Sequence, residues 1–212
     1  MTEAPGLRER KRQRTHEAIQ DAATRLFLES GFRAVGVDQI AAAAEVSKRT
    51  LFKYFPSKED LVVGSFADHA DEPARMVLAR TAGTSPLDAL REYFLEGLAQ
   101  RDPITGLDDR PESLAFIAMV LETPSLQAKV LLYQANAEEA LADALRQVEG
   151  DVETDTARLA ACQIYAMLRA LAEDNRRHLT EGLSAEQRYP DAVRSAERAF
   201  ELLNGGLGEL YG

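Results

Sequence analysis

A single cysteine, Cys162, stands among the 212 residues. No internal disulfide can form, and a reducing compartment fits. No apolar stretch is long enough to span a bilayer. The longest strictly apolar run, Leu114 to Leu121, falls far short of the roughly 20 residues that a spanning helix needs. The N-terminus is polar and basic with no apolar run behind it, so no signal peptide is expected and the chain is expected in the cytoplasm. Internal repeats and low-complexity tracts are missing as well.

Signatures of metal and catalytic chemistry are equally scarce. His16, His69 and His178 are scattered, without metal-ligand spacing, and no Glu-x-x-His occurs to build a di-iron bundle. Cys162 lies in an alanine-rich stretch and reads as a small core residue. Glu138 and Glu139 are adjacent, so on a helix they point in different directions. The glycines at 205, 206 and 208 follow the expected last helix and open none, which is not the arrangement of a phosphate loop. No cofactor, metal or catalytic constellation is expected.

What the chain does have is 45% hydrophobic residues, enough for a sizeable core. The net charge of −10 argues by itself against a polyanionic partner, but its distribution argues the other way. Residues 1–60 hold 11 Lys and Arg against 9 Asp and Glu, while the remainder holds 14 against 26. A slightly basic head on an acidic body suggests that only the head meets nucleic acid.

The stretch VDQIAAAAEVSKRTLFKY, residues 37–54, reads as two short helices around a tight turn. Val37, Ile40, Ala41 and Ala44 recur at i, i+3, i+4 and i+7, one face of a helix running to about Ala44. Glu45-Val46 makes the turn, and Ser47 can cap a second helix running to about Phe55. Leu51 and Phe55 face inward. Lys48, Arg49, Thr50, Lys53 and Tyr54 face outward with no acid among them. Such a face suits the major groove: cations and hydroxyls reach phosphates, and first-turn side chains reach base edges. An ordinary helical hairpin with a solvated basic face has the same appearance.

Upstream, Arg8, Arg10, Lys11, Arg12 and Arg14 crowd seven positions. They fit a charged tail, or an arm lying along phosphates or entering a minor groove, with Arg12 and Arg14 nearest the head. A helix is expected from Thr15 to about Ser30, stopped by Gly31, with Ile19, Ala22, Ala23, Leu26 and Phe27 inward. Phe32 would plug the three-helix core, and Gly36 would cap the next helix. After Phe55-Pro56, Ser57 with Asp60 resembles a capping box. It opens a helix from Lys58 to about Asp71 with Leu61, Val62 and Phe66 inward, broken or kinked at Pro73.

Leu26 to Leu61, LFLESGFRAVGVDQIAAAAEVSKRTLFKYFPSKEDL, closely resembles the DNA-binding signature of the TetR family of bacterial transcriptional regulators. Val46-Ser47, Thr50-Leu51-Phe52, Tyr54-Phe55, Ser57-Lys58 and Leu61 carry the likeness. The resemblance implies that Ser47, Thr50 and Tyr54 touch phosphates and that Lys58 clamps another. It sets Lys48, Arg49 and Lys53 nearest bases or flanking phosphates. Two departures stand out. Glu45 occupies a turn where the family usually has glycine, at a cost of about 1 kcal/mol if the left-handed geometry is kept. Arg49 replaces a small or polar residue and could reach a guanine O6/N7 edge.

The resemblance further implies an all-α protein of about nine helices: residues 1–60 as a helix-turn-helix domain with a basic N-terminal arm, and 61–212 as a ligand-binding and dimerisation domain. The residues agree with helices throughout. Ser85-Pro86 opens one to about Arg101, with Leu87, Leu90, Phe94 and Leu98 inward. Pro111 to Leu121 reads as a helix apolar all round and therefore enclosed on all sides. Thr123-Pro124 opens a long helix to about Val148. An alanine-rich helix spans about 154–179, and a last one runs from Pro190 or Asp191 to 204. By the resemblance these two pair across a two-fold axis.

An effector pocket among the central helices has as candidates Phe94, Phe116, Met119, Tyr133, Gln163, Tyr165, Met167 and Arg169, for which core packing or solvation is the alternative at every position. The expected partners are thus duplex DNA bearing a palindromic operator, an unidentified small molecule and a second copy of the chain. An all-helical ligand- or partner-binding protein, its DNA surface spoiled by Glu45, is the competing reading.

Overall fold

The computed structural model describes residues 6–150 and 152–211, leaving aside the side chains of residues 7, 9, 65–68, 70, 149 and 207–211. The described residues form ten α-helices and one short 3-10 turn, with no strand among them. The chain divides into two compact units, one of residues 1–67 with 115–130 and the other of 68–114 with 131–212.

The first unit is built on α1 (Leu7–Ser30), α2 (Val37–Ala43), α3 (Lys48–Tyr54) and the start of α4 (Lys58–Ala70). Ile19, Ala23 and Phe27 of α1, Ile40 and Ala41 of α2, Leu51 of α3, then Phe55 and Leu61 are buried as a common core. Phe32 closes it as expected, its ring centroid 5.3 Å from that of Phe27. Gly31, at φ +81°, donates its N–H to the Phe27 carbonyl at 2.8 Å and ends α1. Gly36 precedes α2, its N–H held at 2.7 Å by the Gln39 side chain.

The first helix does not start at Thr15. Arg8 to Arg14 form the first turns of α1, which begins eight residues ahead of Thr15. Arg, Lys, Glu and Gln are good helix formers, so the segment continues α1 toward the N-terminus. Thr15 turns its hydroxyl back to the Lys11 carbonyl at 2.9 Å, a mid-helix habit rather than a cap.

Residues 115–130 cover the corner between α7 (Pro111–Glu122) and α8 (Pro124–Glu149), where Val120 and Leu126 are buried. The two axes meet at 97°. Among the described residues no single helix is long and apolar enough to cross a membrane, although this bent pair passes on length and composition together. The expectation that α7 is enclosed fails. Leu121 is 60% exposed, and Phe116, Ile117 and Met119 are half-buried. An apolar run without a period says that a helix can be enclosed, and only the packed partners decide which face is.

In the second unit α5 (Glu72–Ala79) follows the break before Pro73 and supplies the tenth helix. Ser85 caps α6 (Pro86–Gln100), accepting the Asp88 N–H at 3.1 Å, and Leu87, Leu90, Phe94 and Leu98 are buried as their spacing predicts. They join Leu141 and Leu145 of α8, Ala160, Ala161 and Ile164 of α9 (Thr154–Thr180) and Ala192, Ala196 and Phe200 of α10 (Ala185–Tyr211). The alanines let helices approach closely, and α10 packs on both α6 and α9.

α10 starts at Ala185, ahead of Pro190, because Ser184 and Gln187 form a reciprocal box. The Ser184 hydroxyl accepts the Gln187 N–H at 3.2 Å, and the Gln187 side chain accepts the Ser184 N–H at 2.9 Å. Pro190 is carried inside the helix. It offers no N–H to the carbonyl of Glu186 one turn back, and Glu186 is an exposed residue. The glycines at 205 and 206 do not stop α10 either. Cys162 is exposed, contrary to the core expectation. Ala157, Ala160, Ala161 and Ile164 take the inner face, and the helical period turns position 162 outward.

The connection between α6 and α7 docks on α9 through groups not visible in local sequence. Gly106 sits at φ +71°, where a Cβ would lie 2.0 Å from the Ala172 carbonyl oxygen, so only glycine fits. Buried Asn175 donates to the Thr105 carbonyl at 2.9 Å and accepts the Arg188 Nε–H at 3.0 Å. Arg188, itself buried, reaches Asp174 at 2.6 Å.

Candidate nucleic-acid interface

The turn between α2 and α3 keeps the left-handed geometry despite its residue: Glu45 has φ +54°. The Val46 N–H reaches the Ala41 carbonyl at 2.9 Å and the Glu45 N–H reaches the Ala42 carbonyl at 3.2 Å. These are the two bonds of a Schellman ending, which satisfies the last free carbonyls of α2 and fixes the direction in which the chain leaves.

Ser47 then starts α3, its hydroxyl accepting the Thr50 N–H at 3.1 Å and lying 2.8 Å from the Thr50 hydroxyl. Burial of Leu51 and Phe55 sets the rotation of α3 and so decides which side chains look out. Lys48, Arg49, Phe52 and Lys53 are exposed; Thr50 and Tyr54 are half-buried. Tyr54 is held from behind by His16 of α1, whose ring packs 4.6 Å from that of Phe55 and 6.3 Å from that of Tyr54. This use of His16 carries no sequence signal.

Five expected DNA-facing residues therefore share α3 with its cap Ser47, and Arg12 and Arg14 are exposed on the first turns of α1. Lys48 pairs with Asp38 at 3.0 Å, both well exposed. Such a pair is worth at most about 1 kcal/mol and yields readily to a phosphate. Lys58 is placed differently. Its ammonium donates to the Phe32 carbonyl and sits 4.3 Å over the Phe32 ring and 5.7 Å over that of Phe27. Burial there lowers its pKa from the ordinary value. In this geometry Lys58 braces the α1–α2 connection.

The expected effector residues are divided between the two units. Phe116 and Met119 fall in the first unit, whereas the other six belong to the second. There Phe94 is buried in the core, and Tyr165 and Met167 are packed against it. Tyr133 is half-buried. Gln163 and Arg169 are exposed on the outer face of α9, with Arg169 bonded to Glu173 at 3.0 Å. That face also carries Leu159, Cys162, Ala166 and Ala170.

A polar group missed by sequence reasoning lies beside Phe94. Tyr93 donates to Glu72 at 2.5 Å, and the other Glu72 oxygen lies 2.7 Å from His69 Nδ1. Burial works to raise the Glu72 carboxyl, but the bonds from Tyr93 and His69, with the charges of His69 and Arg75, outweigh it and hold its pKa below the usual range. Burial, then the bond and charge of Glu72, pushes the Tyr93 phenol up. Burial together with Glu138 and Asp71 does the same for Tyr165. An open groove of about 390 Å³ between α6 and α10, floored by Leu87 and Phe200 and rimmed by Asp88, Arg91, Glu197 and Glu201, uses none of the expected effector residues.

The sequence pattern of bacterial regulatory proteins of the tetR family matches residues 19–63. Over 154 residues the chain is 33% identical to the HTH-type transcriptional regulator TcmR of Streptomyces glaucescens, spanning 71% of this chain and 68% of that protein. It is 36% identical over 89 residues to the HTH-type transcriptional regulator RutR of Escherichia coli (strain K12), 42% of each. NalD, the secondary repressor of the MexAB-OprM multidrug efflux pump in Pseudomonas aeruginosa, superposes with a TM-score of 0.58 at 19% identity, over 88% of this chain and 96% of that one. This last likeness concerns the fold alone.

Proposed function

This chain belongs to the TetR family of bacterial transcriptional regulators, and from that premise we propose that it acts as a homodimeric repressor, released from a palindromic operator by a small molecule. Membership makes it a DNA-binding regulator rather than an enzyme. The observation that carries the finer reading is the outward face of α3, cationic and hydroxylic without an acid, held at fixed rotation by the Schellman turn and the Ser47 cap.

In this reading α3 enters the major groove. Ser47, Thr50 and Tyr54 bind phosphates, and Arg49 reads a base edge. Lys48 and Lys53 serve bases or flanking phosphates, while Arg12 and Arg14 follow the backbone from α1. Lys58 reaches a phosphate only by releasing the Phe32 carbonyl. Residues 1–60 form the reader and 61–212 the regulatory domain, working in the cytoplasm.

The outer faces of α9 and α10 supply the two-fold contact. Leu159, Ala166 and Ala170 on one and Leu202 on the other are exposed apolar side chains that a second copy would cover. Gln163 and Arg169 then belong to this contact rather than to the effector site. The effector binds in the second unit near Phe94, Tyr133, Tyr165 and Met167, where Tyr93 and Glu72 add polar anchors. A dimer matches two grooves at one separation only, so an effector that favours another separation lowers DNA affinity.

The test is selection of random duplex DNA by the purified protein, followed by sequencing. A recovered palindrome is expected, and its half-site spacing measures the separation of the two readers. If a folded, dimeric sample enriches no sequence even at low salt, the reading is wrong.

A further inference from the structure

One buried carboxylate in the first unit does more than cap a helix. Asp60, 4% exposed, accepts the Ser57 N–H at 2.9 Å and the Ser57 hydroxyl at 2.5 Å on Oδ2, which completes the box that starts α4. Its other oxygen, Oδ1, takes Lys129 Nζ at 2.8 Å, from a lysine whose side chain is only 29% exposed. The N3 partner of a capping box needs one acceptor oxygen and no positive charge beside it, since a neutral glutamine serves there as well as a glutamate. The lysine answers to something else.

The contacts lead directly to the reading head. Asp60 fixes the Ser57 turn. The next residue, Lys58, holds the Phe32 carbonyl and covers the Phe32 and Phe27 rings. Leu61, one turn on, is buried in the three-helix core. On the other side Lys129 belongs to α8, one continuous helix from Pro124 to Glu149.

We propose that Lys129 is a positioning residue for DNA recognition: its ion pair with Asp60 orients the first turn of α4, and through it the core on which α3 rests. This rests on the operator-binding reading above. Lys129 contacts no DNA in this scheme, so its effect falls on sequence-specific affinity, which needs the right orientation. Non-specific attraction needs only charge.

The test uses the full chain, the operator recovered by selection and a scrambled duplex of equal length. Circular dichroism and thermal melting confirm that each variant is folded. Lys129→Met is expected to lower operator affinity by about tenfold, within the scale on which substitutions that touch neither ligand change coupling. Scrambled-duplex affinity and the salt slope of binding stay unchanged. Lys129→Arg restores operator binding to within about threefold, because a guanidinium keeps the pairing.

Should Lys129→Met fail to fold, the double variant Asp60→Asn, Lys129→Met carries the test. It leaves no unpaired charge and keeps an acceptor for the Ser57 N–H, and it is still expected to lose operator affinity without losing scrambled-duplex affinity. Equal loss on both duplexes would make Lys129 a phosphate contact and overturn the proposal. A lower melting temperature with unchanged operator affinity would overturn it too, leaving a purely structural pair. Failure of the wild-type chain to enrich an operator refutes the operator-binding reading instead, and is seen before any variant is made.

Discussion

Replacing Glu45 tests the turn and the DNA surface at once. Glu45 holds φ +54° in the Schellman ending of α2, a conformation that penalises a side chain by about 1–2 kcal/mol. Glycine removes that penalty but returns about 0.5–1 kcal/mol of unfolded-state freedom. The net gain for Glu45→Gly therefore lies within about 0–1.5 kcal/mol, roughly 0.75 at mid-range. For a chain of this size that raises the melting temperature by roughly 1–4 °C. The carboxylate has a separate effect. At ~8 Å from a phosphate in water, one unit charge repels another by about 0.5 kcal/mol, roughly twofold in affinity per site. A dimer carries two such turns, so the gain is about fourfold at low salt and fades once the Debye length falls below about 8 Å. Glu45→Gln separates the terms: it keeps the strained backbone and removes only the charge. Expected are an unchanged melting temperature with a low-salt affinity gain for Gln, and both gains for Gly, read by thermal melting and fluorescence titration of a labelled duplex. A Gly variant that melts lower, or a Gln variant that binds no tighter at low salt, would refute the reasoning.

Three further outcomes are expected. Arg49→Ala should relax base preference at one position of each half-site by about 1–3 kcal/mol, seen as lost information there when the selection is repeated. Gly106→Ala should destabilise the fold by at least about 2 kcal/mol in urea unfolding, because the Cβ would meet the Ala172 carbonyl and the backbone is left-handed. Glu72, whose folded carboxyl lies below its ordinary value of 4.5, contributes stability that is full above that value and is lost as pH falls through the lower folded one. The urea midpoint of the wild type should thus exceed that of Glu72→Gln at pH 7, by a margin that shrinks toward pH 3; a pH-independent margin would be the contrary result.

Much of the reading head is legible in sequence because its determinants are local. Ser47 caps the residue three ahead, Gly31 stops a helix it directly follows, and Leu51 and Phe55 mark one face by spacing alone. Ser85-Pro86 and the inward set of α6 are legible for the same reason. Errors arise where two local signals compete. At the N-terminus, Thr15 reads as a cap while helix propensity extends α1 to Leu7. At α10, Pro190 suggested a start while the Ser184–Gln187 box had already made one. What cannot be read is long-range. The Phe32 carbonyl that receives Lys58 is 26 residues away, and the Asp60 partner Lys129 lies on a different helix far along the chain. The exposure of Cys162, Gln163 and Arg169 follows from which face of α9 the core takes, and an alanine-rich sequence leaves that undecided.

The brace at Asn175 also imposes a timetable on synthesis. Thr105 and Asn175 are 70 residues apart, and Arg188 completes the buried set later still. At about 5–20 residues per second, the ribosome delivers Asn175 roughly 4–14 s after Thr105. Throughout that interval Thr105 and Gly106 have no α9 on which to seat. The segment can settle only into its own short-range turns, with Asp102 accepting the Ile104 N–H and Asp108 accepting the Arg110 N–H and guanidinium. Those turns keep the waiting segment compact and polar while the nascent chain is unfinished. The second unit locks only after the last two helices have emerged.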